Sequence, residues 1–188
     1  MGEDNHNLIL YQAGIWNGEG INTKLSEERK HADGNFDYIG TIQFQPIKNL
    51  YVGLFGWTGS GIDKAGNVQN RDKYAFGVKY ENKGWSFRSE WGHAKYSGNV
   101  QDDAWYVVGG MPINSWFKLC AQYQTYRSNE SWRTAQCVYS LIPEIQLHKN
   151  LKFQIQYNFN DNRGAADKHF NEIWAETYFR FWFPSAGT

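Results

Sequence analysis

The chain has 188 residues, of which 41% are hydrophobic and 18% aromatic, and its 19 basic and 19 acidic side chains leave no formal net charge. Zero net charge argues against a nucleic-acid-binding protein, which normally carries a basic excess. No run of about 18 apolar residues is present, which excludes a transmembrane helix. The first seven residues have neither a basic start nor an apolar stretch, so no signal peptide is recognised.

The aromatic content is high for a single small core. The chain contains 9 Trp, 12 Tyr and 12 Phe, and Trp and Tyr are favoured where an apolar phase meets water. A mean hydropathy of −0.68 is typical of a soluble protein. Alternating strands of a membrane β-barrel also average to a polar value, so hydropathy does not separate the two classes.

The frequency of β-branched and aromatic residues, together with alternating polarity, predicts ten strands. They span residues 7–16, 37–46, 50–58, 73–82, 85–95, 103–112, 115–126, 135–147, 150–160 and 171–182. Longer polar connections, such as 17–36, 58–72 and 160–171, alternate with tight turns. That alternation is typical of an up-and-down antiparallel sheet whose two rims face different environments, as in outer-membrane barrels.

The ninth predicted strand shows the alternation most clearly. Its apolar and polar residues occupy opposite parities: Leu151, Phe153, Ile155, Tyr157 and Phe159 against Lys152, Gln154, Gln156 and Asn158. Side chains alternate across a strand, so one face is apolar and the other polar. Period two alone fits both a soluble sandwich and a membrane barrel. Aromatic residues near the strand ends on the apolar parity, among them Tyr74, Tyr123 and Phe159, favour two membrane interfaces.

Some positions are less informative. The third and sixth strands are apolar on both faces and do not discriminate between the two folds. Pro143 lies inside the eighth strand, where a missing N–H predicts a bulge or a short strand. Cys120 and Cys137 lack a CxxC spacing and are expected to be buried small apolar side chains.

Five stretches carry a likeness to a known family through their order and spacing: Tyr11–Asn22, Ile42–Gly53, Tyr74–Tyr80, His148–Phe159 and Trp174–Phe181. Together they resemble the C-terminal part of outer-membrane porins of the phosphate-selective porin O/P type. Residues 175–181 are similar to the aromatic-ended last strand by which outer-membrane proteins are recognised for assembly. Residues 182–188 continue past that strand, which departs from the family pattern.

The resemblance implies a barrel of about sixteen strands in the bacterial outer membrane. We therefore expect residues 1–188 to form a single all-β domain, an antiparallel up-and-down transmembrane β-barrel that lacks its first strands. A closed ten-stranded barrel is the alternative. The lipid bilayer is the expected partner, and the resemblance also implies a homotrimer.

The polar parity supplies the candidate pore-lining residues. They are Lys79, Glu81, Arg88, Glu90, Lys118, Gln122, Glu144, Lys152, Gln154, Gln156, Glu172, Glu176 and Arg180. In a barrel they would line the lumen and determine its ion preference. The alternative interpretation is a set of cross-strand ion pairs that fill a polar wall. The resemblance implies phosphate as a solute, although no dedicated lysine cluster matches the family.

These observations predict a porin for passive diffusion of small hydrophilic solutes, including anions such as phosphate, without catalysis, cofactor or metal. The five histidines are dispersed, and the loop acids lack the spacing of a calcium loop. A soluble β-sandwich of carbohydrate-binding type, using exposed aromatics, is the alternative function. An outer-membrane enzyme is a third class, which no residue spacing supports.

Overall fold

The computed structural model describes residues 8–17, 36–62 and 68–180. Their strands form one antiparallel sheet of ten, each paired with the next along the chain. The strands are β1 (Ile9–Asn17), β2 (Phe36–Ile47), β3 (Leu50–Ile62), β4 (Val68–Asn82), β5 (Trp85–Tyr96), β6 (Gln101–Pro112), β7 (Phe117–Ser128), β8 (Gln136–His148), β9 (Leu151–Asn162) and β10 (His169–Phe179). The predicted up-and-down antiparallel class is confirmed, and all ten predicted strands are present. Within the described residues β1 and β10 do not pair, so this sheet is open.

The connections lie at two rims. The turn rim carries the short connections 48–49, 83–84, 113–116 and 149–150, and the loop rim carries 97–100, 129–135 and 163–168. The connections 18–35 and 63–67 lie outside the described residues. The predicted loop 58–72 is wrong in its extent, because β3 and β4 continue to Ile62 and from Val68. Within this range Gly59 pairs with Arg71 and Gly61 pairs with Gln69 in the β3–β4 ladder.

The turn between β4 and β5 shows why the sheet reverses where it does. Lys83 and Gly84 have φ values of 48° and 86°. Positive φ at both central residues gives the two-residue turn whose twist matches that of antiparallel strands. A side chain on Gly84 would also lie 3.0 Å from Pro112 Cβ, so glycine satisfies both conformation and space.

Strand register assigns every side chain to one of two faces, since directly paired residues point the same way. We call the face that carries Phe153, Ile155 and Tyr157 the apolar face, and the face that carries Gln154 and Gln156 the polar face. No second layer of described residues covers the apolar face, on which Leu54, Leu141 and Ile173 are 51%, 48% and 74% exposed. The described hydrophobic residues that are buried are Cys120, Ala135, Cys137 and Ile142. A soluble sandwich packs two sheets around a core, so this alternative is contradicted.

Pro143 corrects one expectation. It pairs with Leu119 of β7 in regular register. The β8–β9 pairing has the same offset before it, at Leu141–Tyr157, and after it, at Glu144–Gln154. The predicted bulge or short strand is therefore wrong at this position. The strand continues because the missing N–H interrupts only the bridge to β9.

The cysteines are buried, as expected, and they belong to different faces. Cys120 pairs with Ile142 on the polar face, and Cys137 pairs with Thr125 on the apolar face. Both are free thiols.

Across the described residues, no helix has the length and apolar character needed to cross a bilayer.

Candidate pore-lining face

The register places the predicted pore-lining residues on the polar face. One row across the sheet runs Tyr51, Lys79, Arg88, Val108, Gln122, Ser140, Asn158 and Glu172. Lys118, Glu144, Gln154 and Glu176 form another row. Arg180 follows the last paired residue, and its backbone N–H donates to the Asn150 carbonyl at 2.9 Å. The face is thus continuous from β3 to β10, which alternation within single strands could not show.

Two of the predicted cations pair with predicted anions. Lys79 Nζ lies 3.0 Å from Glu81 Oε2 on the same strand. Lys152 Nζ lies 3.4 Å from Glu144 Oε1 across β8 and β9. Exposed pairs of this kind contribute only ~0.2–1 kcal/mol. The interpretation of the polar face as a wall of ion pairs therefore applies to these four residues. Their side chains are still partly exposed, so they can contact solutes.

Lys118 is held in a different way. Its Nζ donates to Ser86 Oγ at 2.7 Å, which spans β6 from β7 to β5. Gly110 lies on β6 between them, paired with both Ser86 and Cys120. A Cβ at Gly110 would approach Lys118 Cε to 2.4 Å, so the absent side chain opens this path.

Amide side chains link β8, β9 and β10. Ser140 Oγ donates to Asn158 Oδ1 at 2.6 Å, and Gln156 Nε2 donates to the same oxygen at 2.8 Å. Asn160 Nδ2 donates to Glu172 Oε2 at 3.1 Å. Such groups hydrogen-bond readily with water, so this part of the face is a hydrophilic wall with little charge.

The polar face also carries aromatic residues that the sequence analysis did not assign to it. By register they are Trp16, Tyr51, Phe55, Trp57, Tyr96, Tyr106, Tyr126, Phe170, Trp174 and Tyr178. Several belong to β3 and β6. The sequence could have indicated their position, because both strands have apolar residues on both parities. Charged residues were also missed: Lys73 Nζ lies 4.0 Å from the centre of the Trp57 ring, and Asp37 is buried beside Gly59.

The apolar face carries a belt of aromatic rings near the loop rim. Tyr74 lies 5.6 Å from Trp91, and Trp105 lies 5.4 Å from Tyr123, measured between ring centres. Tyr123 continues the belt to Tyr139 at 5.0 Å, and Tyr139 reaches Phe159 at 6.2 Å. Aromatic belts of this kind mark the level at which a membrane barrel leaves the hydrocarbon. The predicted common face of Tyr74, Tyr123 and Phe159 is confirmed.

The apolar residues below this belt form a band of suitable height. Leu151 to Phe159 is an uninterrupted alternation of nine residues, and a transmembrane strand needs about 9–11 residues at a tilt of about 45°. Nearer the loop rim the same face becomes polar at Asp72, His93, Asp103 and Arg127. The band therefore has a definite upper edge.

Polar contacts cover that edge. Arg127 forms an ion pair with Asp103. The guanidinium carbon lies 4.6 Å from the centre of the Trp132 ring, which brings the 129–135 loop against the apolar-face side. Glu130 of the same loop lies 3.3 Å from His93 Nδ1.

Solved structures share this architecture. The chain is similar to OmpT, an outer membrane protein of Vibrio cholerae, folded in vitro: identity is 14%, TM-score 0.53, and the match covers 78% of this chain and 61% of that one. Outer-membrane-expressed OmpT of Vibrio cholerae gives 12% identity and a TM-score of 0.54, covering 93% of this chain and 78% of that one. The chain has the fold of an outer-membrane β-barrel protein. Both similar structures are outer-membrane proteins, which supports the expected localisation.

No family model matches the sequence, and no curated protein matches it. The phosphate-selective porin resemblance therefore remains a prediction. The chain spans 61% and 78% of the two OmpT chains, and identities of 14% and 12% establish the fold alone.

Proposed function

We propose that this chain forms the wall of an outer-membrane channel through which small hydrophilic solutes diffuse passively. The observation that carries the proposal is the separation of the two faces. The apolar face exposes residues such as Phe76 and Ile173, which no layer of described residues covers, while the opposite face carries charged and amide side chains from β3 to β10. A lipid bilayer would solvate the apolar face, and a water-filled lumen would solvate the polar face.

The predicted pore-lining residues include as many basic as acidic side chains. Lys79 and Lys152 are paired with Glu81 and Glu144, which supports a weak ion preference. Lys79 lies directly opposite Arg88 in the β4–β5 register. Like charges side by side repel each other, and an anion bound between them would relieve that repulsion. An anion such as phosphate would therefore be stabilised most strongly at this pair. Phosphate preference is the part of the proposal that comes from the family resemblance.

The same resemblance supplies the proposed assembly. It implies a barrel of about sixteen strands, in which residues 1–188 form one domain, and a homotrimer of such barrels. Passive diffusion requires no catalysis, cofactor or metal. The described residues contain no group of three His, Cys, Asp or Glu side chains that could hold a metal ion, and the absence of enzymatic activity stays a prediction.

The test is single-channel conductance of the natural protein in planar lipid bilayers, with reversal potentials measured in chloride and phosphate gradients. Replacing Lys79, Lys118 and Lys152 together with Glu reverses three charges on the polar face and is expected to shift selectivity toward cations. The matched control is Lys95→Glu, the same charge change on the apolar-face parity near the loop rim. Its reversal potential is expected to stay close to that of the wild type.

Two results would count against the proposal. Absence of conductance steps from correctly folded protein would remove the channel function. An unchanged reversal potential in the triple variant would remove these lysines from the pore wall.

A further inference from the structure

A hollow interrupts the polar face between β3 and β7. Its floor carries the small residues Ala75, Gly92, Ala94 and Ala104, and Tyr96 also lines it. The register row Phe55–Ala75–Gly92–Ala104–Tyr126 places an aromatic residue at each end of this floor. The hollow has a volume of about 560 Å³, within the range of pockets that bind small molecules.

The aromatic ends of the hollow present ring surface toward the proposed lumen. Phe55 and Tyr126 are 36% and 40% exposed, although they stand on the polar face. The cross-strand neighbours of Phe55 are Thr41 and Ala75, which are too small to cover its ring. Exposed apolar area of this size is unfavourable in water and is stabilised when a ligand covers it.

Polar groups border the floor on both sides. Toward the loop rim, the neighbouring row contains Lys73 and Asp102, and Tyr126 donates its hydroxyl to Asp102 Oδ2 at 2.9 Å. Toward the turn rim lies Glu90, which accepts a hydrogen bond from the Tyr106 hydroxyl at 3.3 Å. The hollow thus offers one ammonium donor and two carboxylate acceptors around an apolar floor.

This combination selects among ligand classes. Two carboxylates against one ammonium disfavour phosphate and other anions. A purely aliphatic ligand would displace water from these charged groups without offering them hydrogen bonds in return. A sugar has apolar C–H faces that stack on aromatic rings, and its hydroxyls both donate and accept.

We propose that this hollow is a binding site for neutral oligosaccharides, whose sugar rings stack on Phe55 at one end of the floor and on Tyr126 at the other and whose hydroxyls hydrogen-bond to Lys73, Glu90 and Asp102. The inference rests on the proposed channel, for which it names a solute class and the place where that solute is retained. It also gives a role to Phe55 of β3, a strand whose apolar character on both faces had no explanation in the sequence.

The test measures how maltotriose reduces the ion current of the natural protein in planar bilayers, compared with polyethylene glycol of similar mass and with inorganic phosphate. Maltotriose alone is expected to reduce the current at low concentration. Phe55→Ala and Tyr126→Ala should each raise the half-blocking concentration about tenfold. Trp174→Ala is the matched control, because it removes an exposed ring from the same face outside the hollow and should leave the block unchanged.

A second variant fills the hollow without removing a contact. A Cβ at Gly92 would meet Ala75 Cβ at 3.9 Å, which is ordinary contact, so Gly92→Leu can be accommodated and should abolish the block. Equal block by maltotriose and polyethylene glycol, or wild-type block in all three hollow variants, would overturn the site. Block by phosphate without block by maltotriose would overturn the ligand class.

Calorimetric titration of maltotriose into the detergent-solubilised protein separates this inference from the channel proposal. If no current is seen but binding is present in the wild type and lost in Gly92→Leu, the channel is wrong and the site stands. If current is seen but the wild type does not bind maltotriose, the site is wrong and the channel stands.

Discussion

Lys118 reaches Ser86 because no side chain stands on Gly110 between them. The side chain of Lys118 therefore lies flat across β6, next to Cys120, and its ammonium stays close to the sheet instead of extending away from it. Its position depends on one missing Cβ. A lysine, a serine and a glycine on three different strands meet only through the register, so the sequence gives no indication of this contact.

Gly110→Ala tests this dependence. The new Cβ would lie 2.4 Å from Lys118 Cε and 2.5 Å from Ser86 Oγ. Overpacking of this kind typically costs about 1–3 kcal/mol. We therefore expect a lower free energy of unfolding when the protein in lipid vesicles is titrated with denaturant. Gly109→Ala is the neighbouring control, because a Cβ there has nothing within 4 Å and points to the apolar face. Equal stability of the two variants would show that Lys118 is not confined in this way.

At the scale of one element, β9 combines both environments of the molecule. Its apolar residues pair with Tyr139, Leu141 and Ile145 of β8, and its polar residues pair with Ser140 and Glu144. Each neighbouring strand therefore reinforces the same assignment of faces. A shift of one residue would exchange the two faces, and the buried Ser140–Asn158 hydrogen bond opposes such a shift.

Adjacent residues of β9 provide a test of which face meets lipid. Ile155 is the central apolar residue of Leu151–Phe159, and Gln156 is its neighbour on the polar face. Ile155→Lys is expected to destabilise the protein in phospholipid vesicles by ~2–4 kcal/mol, because a charge near the bilayer centre loses its hydration. Gln156→Lys places the same charge on the opposite face and should change stability little.

The outcome of this pair decides the orientation. A larger loss for Gln156→Lys would reverse the assignment of lipid and lumen. Similar small losses for both variants would indicate that neither face contacts hydrocarbon.

At the scale of the whole molecule, the described sheet lacks an apolar core. The apolar face leaves Leu54, Phe76, Leu141 and Ile173 between 46% and 74% exposed. Contiguous apolar surface on this scale requires a partner phase. The aromatic belt and the polar residues above it show where that phase ends near the loop rim.

We therefore expect the natural protein to sediment with the outer-membrane fraction, to resist extraction by alkaline carbonate, and to be released by detergent. The physical reason is that lipid removes the apolar band from water, which stabilises the inserted protein by about 25 cal/mol for each Å² of apolar surface buried. Recovery of a folded, soluble monomer without detergent would contradict both the membrane assignment and the proposed channel.

The sequence by itself determined the strands, their order and the two-sided character of β9, because these depend on local propensity and on period-two alternation. It also identified many of the charged residues of the polar face, since each strand shows its own parity, but it missed Lys73 and Asp37. It overestimated the β3–β4 loop and expected a bulge at Pro143, because ladder hydrogen bonds from neighbouring strands override local preference at both places.

Only the tertiary structure decided what depends on register across several strands. Register places Gly110 beneath Lys118, joins Phe55 and Tyr126 across a floor of small residues, and aligns Tyr74 through Phe159 in one belt. It also shows that nothing among the described residues covers the apolar face. Alternation along a strand is identical for a core and for a bilayer, and the two are distinguished here by the aromatic belt and by the absence of a second layer among the described residues.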